Sequence, residues 1–153
     1  MARAQSAGVL LYRRRGAAIE VLLVHPGGPF WARKDDGAWS IAKGEFDADE
    51  APVDAARREF AEETGIALTA PLHPLTPIAQ SRVKTVHAFG AEADIDVTRI
   101  VSNTFTLEWP PRSGRMRSFP EIDRAAWFSL DEARTKIVAG QRPLLDALRE
   151  LIR

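Results

Sequence analysis

Three carboxylates crowd one short stretch of this chain, Arg58-Glu59-Phe60-Ala61-Glu62-Glu63. In a helix each residue advances about 100° around the axis. Glu59 and Glu63, four apart, then stack on one face, and Glu62, three from Glu59, borders it. Val53, Ala56 and Phe60 fall on another face and are expected to pack inward. Such a helix is pinned by its apolar side and presents acid on the other. Like charges held this close repel, and a hard divalent cation with oxygen ligands is the natural compensation. Arg58, four residues before Glu62, offsets part of the charge. A lone Glu-Glu pair would read only as solvated helix surface. Three acids at this spacing open metal binding, with a carboxylate available as general base.

The elements that must position these acids follow from the flanking pattern. Pro52–Thr64 reads as a helix, with Pro52 in the first turn, where its missing N–H costs nothing, and Gly65 as the C-terminal cap. Ahead of it, residues 7–12 and 19–24 are two apolar runs that read as strands. Arg13-Arg14-Arg15-Gly16 joins them as a charged, solvated turn. Residues 25–37 are punctuated by Pro and Gly and read as loop. Residues 38–41 form a brief expected strand leading to Lys43-Gly44. After the helix, Pro71, Pro74 and Pro77 mark an irregular crossing. Strands are expected over 83–88, 100–109 and 125–128, with 110–120 a polar loop. Ser129 and Glu132 match a capping box that opens a helix. Gly140 interrupts it, and residues 143–152 make a last amphipathic helix with Leu144, Leu145 and Leu148 on one side. This order predicts an α/β fold, a mixed sheet with helices packed on it.

The chain has 153 residues, enough for one domain with a real core, expected to span residues 1–153. Lys plus Arg equals Asp plus Glu, 21 each, so no basic excess points to nucleic acid. The absence of cysteine removes disulfides, thiolate metal sites and cysteine nucleophiles. No signal-peptide core and no membrane-length apolar run is evident, and a cytoplasmic location is expected.

Gly44, Glu50, Arg58, Glu59, Phe60, Glu62, Glu63, Gly65 and Ile66 together fill every defined position of the Nudix box. Over its whole length the chain therefore resembles a Nudix hydrolase, a family with an α/β/α sandwich and a mixed β-sheet. The approach Trp39-Ser40-Ile41-Ala42-Lys43-Gly44-Glu45 has the family's shape, although many relatives carry Pro where Ala42 stands. The stretches 108–114 and 119–123 resemble a bacterial subgroup of predicted nucleoside triphosphate pyrophosphohydrolases. The resemblance implies a Mg²⁺- or Mn²⁺-dependent hydrolase that cleaves a diphosphate linkage in a nucleoside di- or triphosphate or a dinucleoside polyphosphate. It implies Glu59, Glu62 and Glu63 as metal-binding and catalytic acids, with the backbone carbonyl of Lys43 as a further ligand. Glu50 and Arg58 would shape the site. The family often adds a later acid, and Glu121 and Glu108 are the candidates, with Glu121 preferred.

Other residues are read from their chemistry alone. Lys84, Arg112, Arg115 and Arg117 are candidates for distal phosphates, because ammonium and guanidinium groups suit phosphate oxygens. Trp39 and Phe105 could stack a base, although strand aromatics are commonly core. His25, His73 and His87 have no metal-ligand spacing and read as structural. A second reading is a Nudix-fold sensor that binds a nucleotide or ADP-ribose without turnover. Such sensors commonly lose box acids, and this chain has lost none. An interaction protein with an acidic helix is a third.

Overall fold

The computed structural model describes residues 3–153. Nine strands and three α-helices follow one another among these residues: β1 (Ala4–Arg15), β2 (Ala18–Pro26), β3 (Ala42–Glu45), α1 (Pro52–Thr64), β4 (His73–Pro74), β5 (Ile78–Ala79), β6 (Lys84–Glu92), β7 (Thr104–Glu108), β8 (Met116–Pro120), β9 (Ile122–Ser129), α2 (Leu130–Lys136) and α3 (Arg142–Leu151). The main sheet runs β4-β6-β1-β2-β9, with β3 against β1 and β5 against β6. β1 lies parallel to β6 and antiparallel to β2 and β3, so the sheet is mixed.

Alternation along the central strands builds the layers. Successive strand side chains point to opposite faces. β1 sends Leu10 and Tyr12 to one face and Ala7, Val9 and Leu11 to the other. β2 divides Val21 and Leu23 from Leu22 and Val24 in the same way. The first face packs on Ala133 of α2 and Leu144, Leu145 and Leu148 of α3. The second packs on Ala55, Ala56 and Phe60 of α1. The result is the expected α/β/α sandwich. Each fully buried large apolar side chain contributes about 1.5–3 kcal/mol.

Local signals acted as their chemistry dictates. Gly65 takes φ 72° and its N–H caps α1 on the Ala61 carbonyl at 2.8 Å. Ser129 and Glu132 form a reciprocal capping box at the start of α2.

Several expectations are corrected. Val53 is exposed, and Ala55 takes the inward place beside Ala56 and Phe60. Residues 38–41 form no strand; they make single bridges, Val24 to Ser40 and Trp39 to Ile137, and strand structure begins at Ala42. Arg13, Arg14 and Arg15 belong to β1 rather than to a turn, and Arg13 is paired with Glu20 at 2.8 Å and Asp94 at 3.0 Å. The strand expected over 100–109 starts only at Thr104, because Val101 and Asn103 first donate to the Thr64 and Glu62 carbonyls at the end of α1. Residues 110–120 are not all loop, since Met116–Pro120 pairs with β7 as a two-stranded sheet. That hairpin stands largely exposed, so no buried face imposes an apolar alternation on its sequence.

Candidate active site

Helix α1 delivers its acids to the end of β3. Glu59 is buried against Gly44, where an added Cβ would lie 2.0 Å from Glu59 Oε2. Gly44 is thus required by close approach of strand and carboxylate. Gly8 plays the matching part in β1, since a Cβ there would lie 2.5 Å from the Ala42 carbonyl oxygen and from Lys43 Cβ. Without either glycine, β3 could not sit between β1 and the acid face of α1.

Arg58 organises the outer side. Its Nε and Nη2 donate to the two oxygens of Glu50 at 2.9 and 2.8 Å. Its Nη1 donates to Glu59 at 2.8 Å and to Glu62 at 3.1 Å. This fork holds three carboxylates with one cation, which suits the planar geometry of guanidinium. Its hydrogen bonds, the one to Glu50 foremost, keep Arg58 firmly charged.

Glu63 faces the other way, into a cavity of about 340 Å³ that it shares with Lys43, Glu121, Gln80 and Gln141. Burial pushes its carboxyl up to about 8, and the charges of Glu59 and Glu121 push in the same direction. The Lys43 ammonium and a hydrogen bond from the Lys43 backbone N–H oppose the rise. Glu59 is also raised, first by burial, against the pull of Arg58. Lys43 is lowered by burial and then by the nearby Lys84, with the acids opposing. Burial is thus the main force that raises Glu59 and Glu63, and their repulsion by neighbouring carboxylates adds to it.

Glu121 comes to this cluster from outside the helix. It lies in the turn between β8 and β9, which is pinned by Glu121 N–H to the Asn103 carbonyl and Gly27 N–H to the Glu121 carbonyl, both at 2.8 Å. Glu108 sits at the opposite end of the β7–β8 hairpin, paired with Met116, and accepts from the Arg112 backbone N–H at 2.9 Å. Of the two later acids, Glu121 reaches the cavity.

The remaining candidates divide. Lys84 opens β6 beside Lys43. Arg112 and Arg115 lie on the exposed tip of the hairpin and do not line the cavity. Trp39 is turned into the core at 4% exposure, with its indole N–H on Asp35 and its ring edge-on to His25 and Phe128. A side chain so enclosed has no face free for a base, so that expectation is withdrawn. Trp31, which the sequence did not single out, is partly exposed and lines the cavity instead. Gln80, Gln141 and Ser40 were missed as well. They come from segments far apart in the chain, and no local pattern announces them.

Among the described residues no three acidic, His or Cys side chains form a ready metal cage. The donor set nevertheless fits a hard cation. Glu59 and Glu63 are both raised by burial and by neighbouring carboxylates, and Arg58 occupies only the outer oxygens. A divalent ion relieves such a cluster by displacing protons and repulsion together.

An α/β/α sandwich with a helix of acids at the mouth of a cavity defines a recognisable class. Residues 2–148 match the NUDIX domain, and the chain belongs to the Nudix family. Among solved structures it is similar to the NUDIX domain of Shewanella oneidensis NrtR complexed with ADP ribose, at 16% identity and TM-score 0.67 over 100% of this chain and 90% of that one. It is similar to a C. elegans Ap4A hydrolase in a binary complex, at 23% identity and TM-score 0.65 over 97% of each chain. It is also similar to RenU, a Nudix hydrolase from M. smegmatis, at 24% identity and TM-score 0.65 over 99% of this chain and 87% of that one. At these identities the likeness is one of fold. No curated protein matches the chain. No helix among the described residues is long and apolar enough to cross a membrane.

Proposed function

We propose that this protein is a metal-dependent hydrolase that cleaves a diphosphate linkage in a nucleoside di- or triphosphate or a dinucleoside polyphosphate. The observation that carries the reading is the meeting of Glu63 and Glu121 on one cavity, with the charge of Glu59 close enough to act on Glu63. Glu59, Glu62 and Glu63, with the backbone carbonyl of Lys43, are the residues that would hold Mg²⁺ or Mn²⁺. Bound there, the ion supplies Lewis acidity and neutralises the phosphate oxygens that repel an incoming water.

The chain's own residues do the rest. Arg58 fixes the orientation of Glu59 and Glu62 while leaving Glu63 free toward the cavity. Glu63 and Glu121 face the space where a water must approach, and either carboxylate oxygen can take its proton. Lys43 and Lys84 offer positive charge to phosphate beyond the scissile pair. Arg112 and Arg115 receive no such role, given their distance along the hairpin.

A second reading, a sensor without turnover, is favoured by one observation, the likeness to the NrtR domain complexed with ADP ribose. The intact set of box acids favours hydrolysis. A panel of nucleoside polyphosphates, dinucleoside polyphosphates and nucleotide sugars with Mg²⁺ or Mn²⁺, with products identified, separates the two. Hydrolysis that stops in chelator supports the enzyme; binding without product supports the sensor.

A further inference from the structure

The cavity has a second wall whose polarity is set by the backbone. Gln141 is fully buried, and its Oε1 accepts from the Ile41 backbone N–H at 3.1 Å. A backbone N–H can only donate, so this contact decides which end of the Gln141 amide is oxygen. Its Nε2 must then donate, and it does so twice, to Ser40 Oγ at 2.9 Å and to Gln80 Oε1 at 3.1 Å. Ser40 is an acceptor here because its own hydroxyl proton goes to the Ile41 carbonyl at 2.7 Å. Every group of Gln141 is thereby satisfied.

The chain of constraint ends at Gln80. With Oε1 held by Gln141, the amide cannot turn over without placing an NH₂ group against another NH₂ group. Gln80 Nε2 has no partner among the described residues and is not buried, and the residue lines the cavity. Gly140 permits this approach, because a Cβ there would lie 2.3 Å from the Gln80 carbonyl oxygen and 3.0 Å from Gln80 Cγ. The cavity is also lined by Trp31, a flat aromatic side chain, and by the apolar side chains of Val24, Ile41 and Val138. Glu63 and Glu121 line the same cavity.

We propose that Gln80 is a specificity residue, a hydrogen-bond donor locked by Gln141 that selects a substrate whose base carries a carbonyl oxygen over one carrying an amino group at that place. The inference rests on the reading that this cavity takes a nucleotide. A carbonyl oxygen pairs with the Gln80 NH₂ group. An exocyclic amino group meets it donor to donor, which loses the bond and leaves both groups unpaired as water is excluded. Gln141 is the positioning residue and does not itself touch the base.

The test compares nucleotides in which a carbonyl oxygen replaces the amino group and the adjacent ring nitrogen gains a hydrogen, inosine against adenosine triphosphate and uridine against cytidine triphosphate. Dissociation constants are measured by calorimetry with Mg²⁺ in a Glu63→Gln background, so base preference is read whether or not the protein is a hydrolase. The carbonyl member of whichever pair binds is expected to bind about tenfold tighter. Gln80→Glu presents an acceptor in place of the donor and should reverse the ratio, even though added negative charge weakens both ligands. Gln141→Leu frees the Gln80 amide to present either end, so the ratio should fall toward one with Gln80 intact. Equal binding of both members, a ratio unchanged in Gln80→Glu, or no binding of any of the four nucleotides would overturn the inference. If the base preference holds but no diphosphate substrate is cleaved by the wild type, the hydrolase reading fails and the assignment of Gln80 stands.

Discussion

Helix α3 buries Leu144, Leu145 and Leu148 against one face of the sheet, while α1 covers the other with Ala55, Ala56, Phe60 and the carboxylate of Glu59. Both helices begin with a proline in their first turn, and both pack on the main sheet, from opposite faces. α3 needs only a row of leucines to be held. α1 keeps a narrower apolar side, and its polar side gathers acids that repel one another. The comparison teaches that α3 is held by packing alone, while α1 combines packing with the acids that chemistry needs. Changes in α3 should alter folding and spare turnover, and changes to the acids of α1 should do the reverse.

The largest effect on folding is expected from Leu148→Ala. Leu148 is fully buried, and its truncation should cost about 3 kcal/mol through lost transfer energy and a residual cavity. Chemical denaturation reads the loss. Turnover per folded molecule should stay near wild type, and a folded Leu148→Ala protein without activity would break the division.

A smaller, purely catalytic effect separates the two later acids. Glu121→Gln should lower turnover by about tenfold or more, because its carboxylate faces the cavity and raises both Glu59 and Glu63. Glu108→Gln should behave as wild type, because Glu108 serves the hairpin tip. The reverse result would move the outer carboxylate to the wrong strand.

A third effect is a dependence of metal-free stability on pH. Glu63 stands at about 8 in the folded chain against an ordinary 4.5, so between these values the folded protein holds a proton that the unfolded chain has released. Stability must therefore fall as the pH rises from about 4.5 and level off above about 8. Glu59 moves in the same direction. Thermal melts in chelator should show a drop of several degrees across this window, and Glu63→Gln should flatten the curve. A melting point that rises across the same window would contradict the burial of Glu63 as a raised carboxyl.

The acids of α1 were legible in the sequence because they lie within five residues, where helical spacing alone gathers them at one end of the helix. Gly44 was legible for a related reason, since it sits at a defined distance from the helix that crowds it. Trp39 was misread because nothing local distinguishes a ring that points to a cavity from one that points to the core; its partners Asp35, His25 and Phe128 decide that. β8 was missed because it pairs only with β7 in an exposed hairpin. Gln80 and Gln141 lie 61 positions apart and meet through tertiary contact, so neither carries a signal of its own.

Glu63→Gln tests the central claim most directly, with turnover and metal-free melting temperature measured on the same preparation. Glutamine keeps the shape and can still accept from the Lys43 backbone N–H, but it removes a charge that burial, Glu59 and Glu121 all oppose. Turnover of the best diphosphate substrate should fall on the order of a hundredfold or more, while the metal-free protein melts no lower than wild type, and higher near neutral pH. Wild-type turnover in Glu63→Gln, or a loss of turnover accompanied by a lower melting temperature, would contradict the claim that this acid is held for chemistry at the expense of stability.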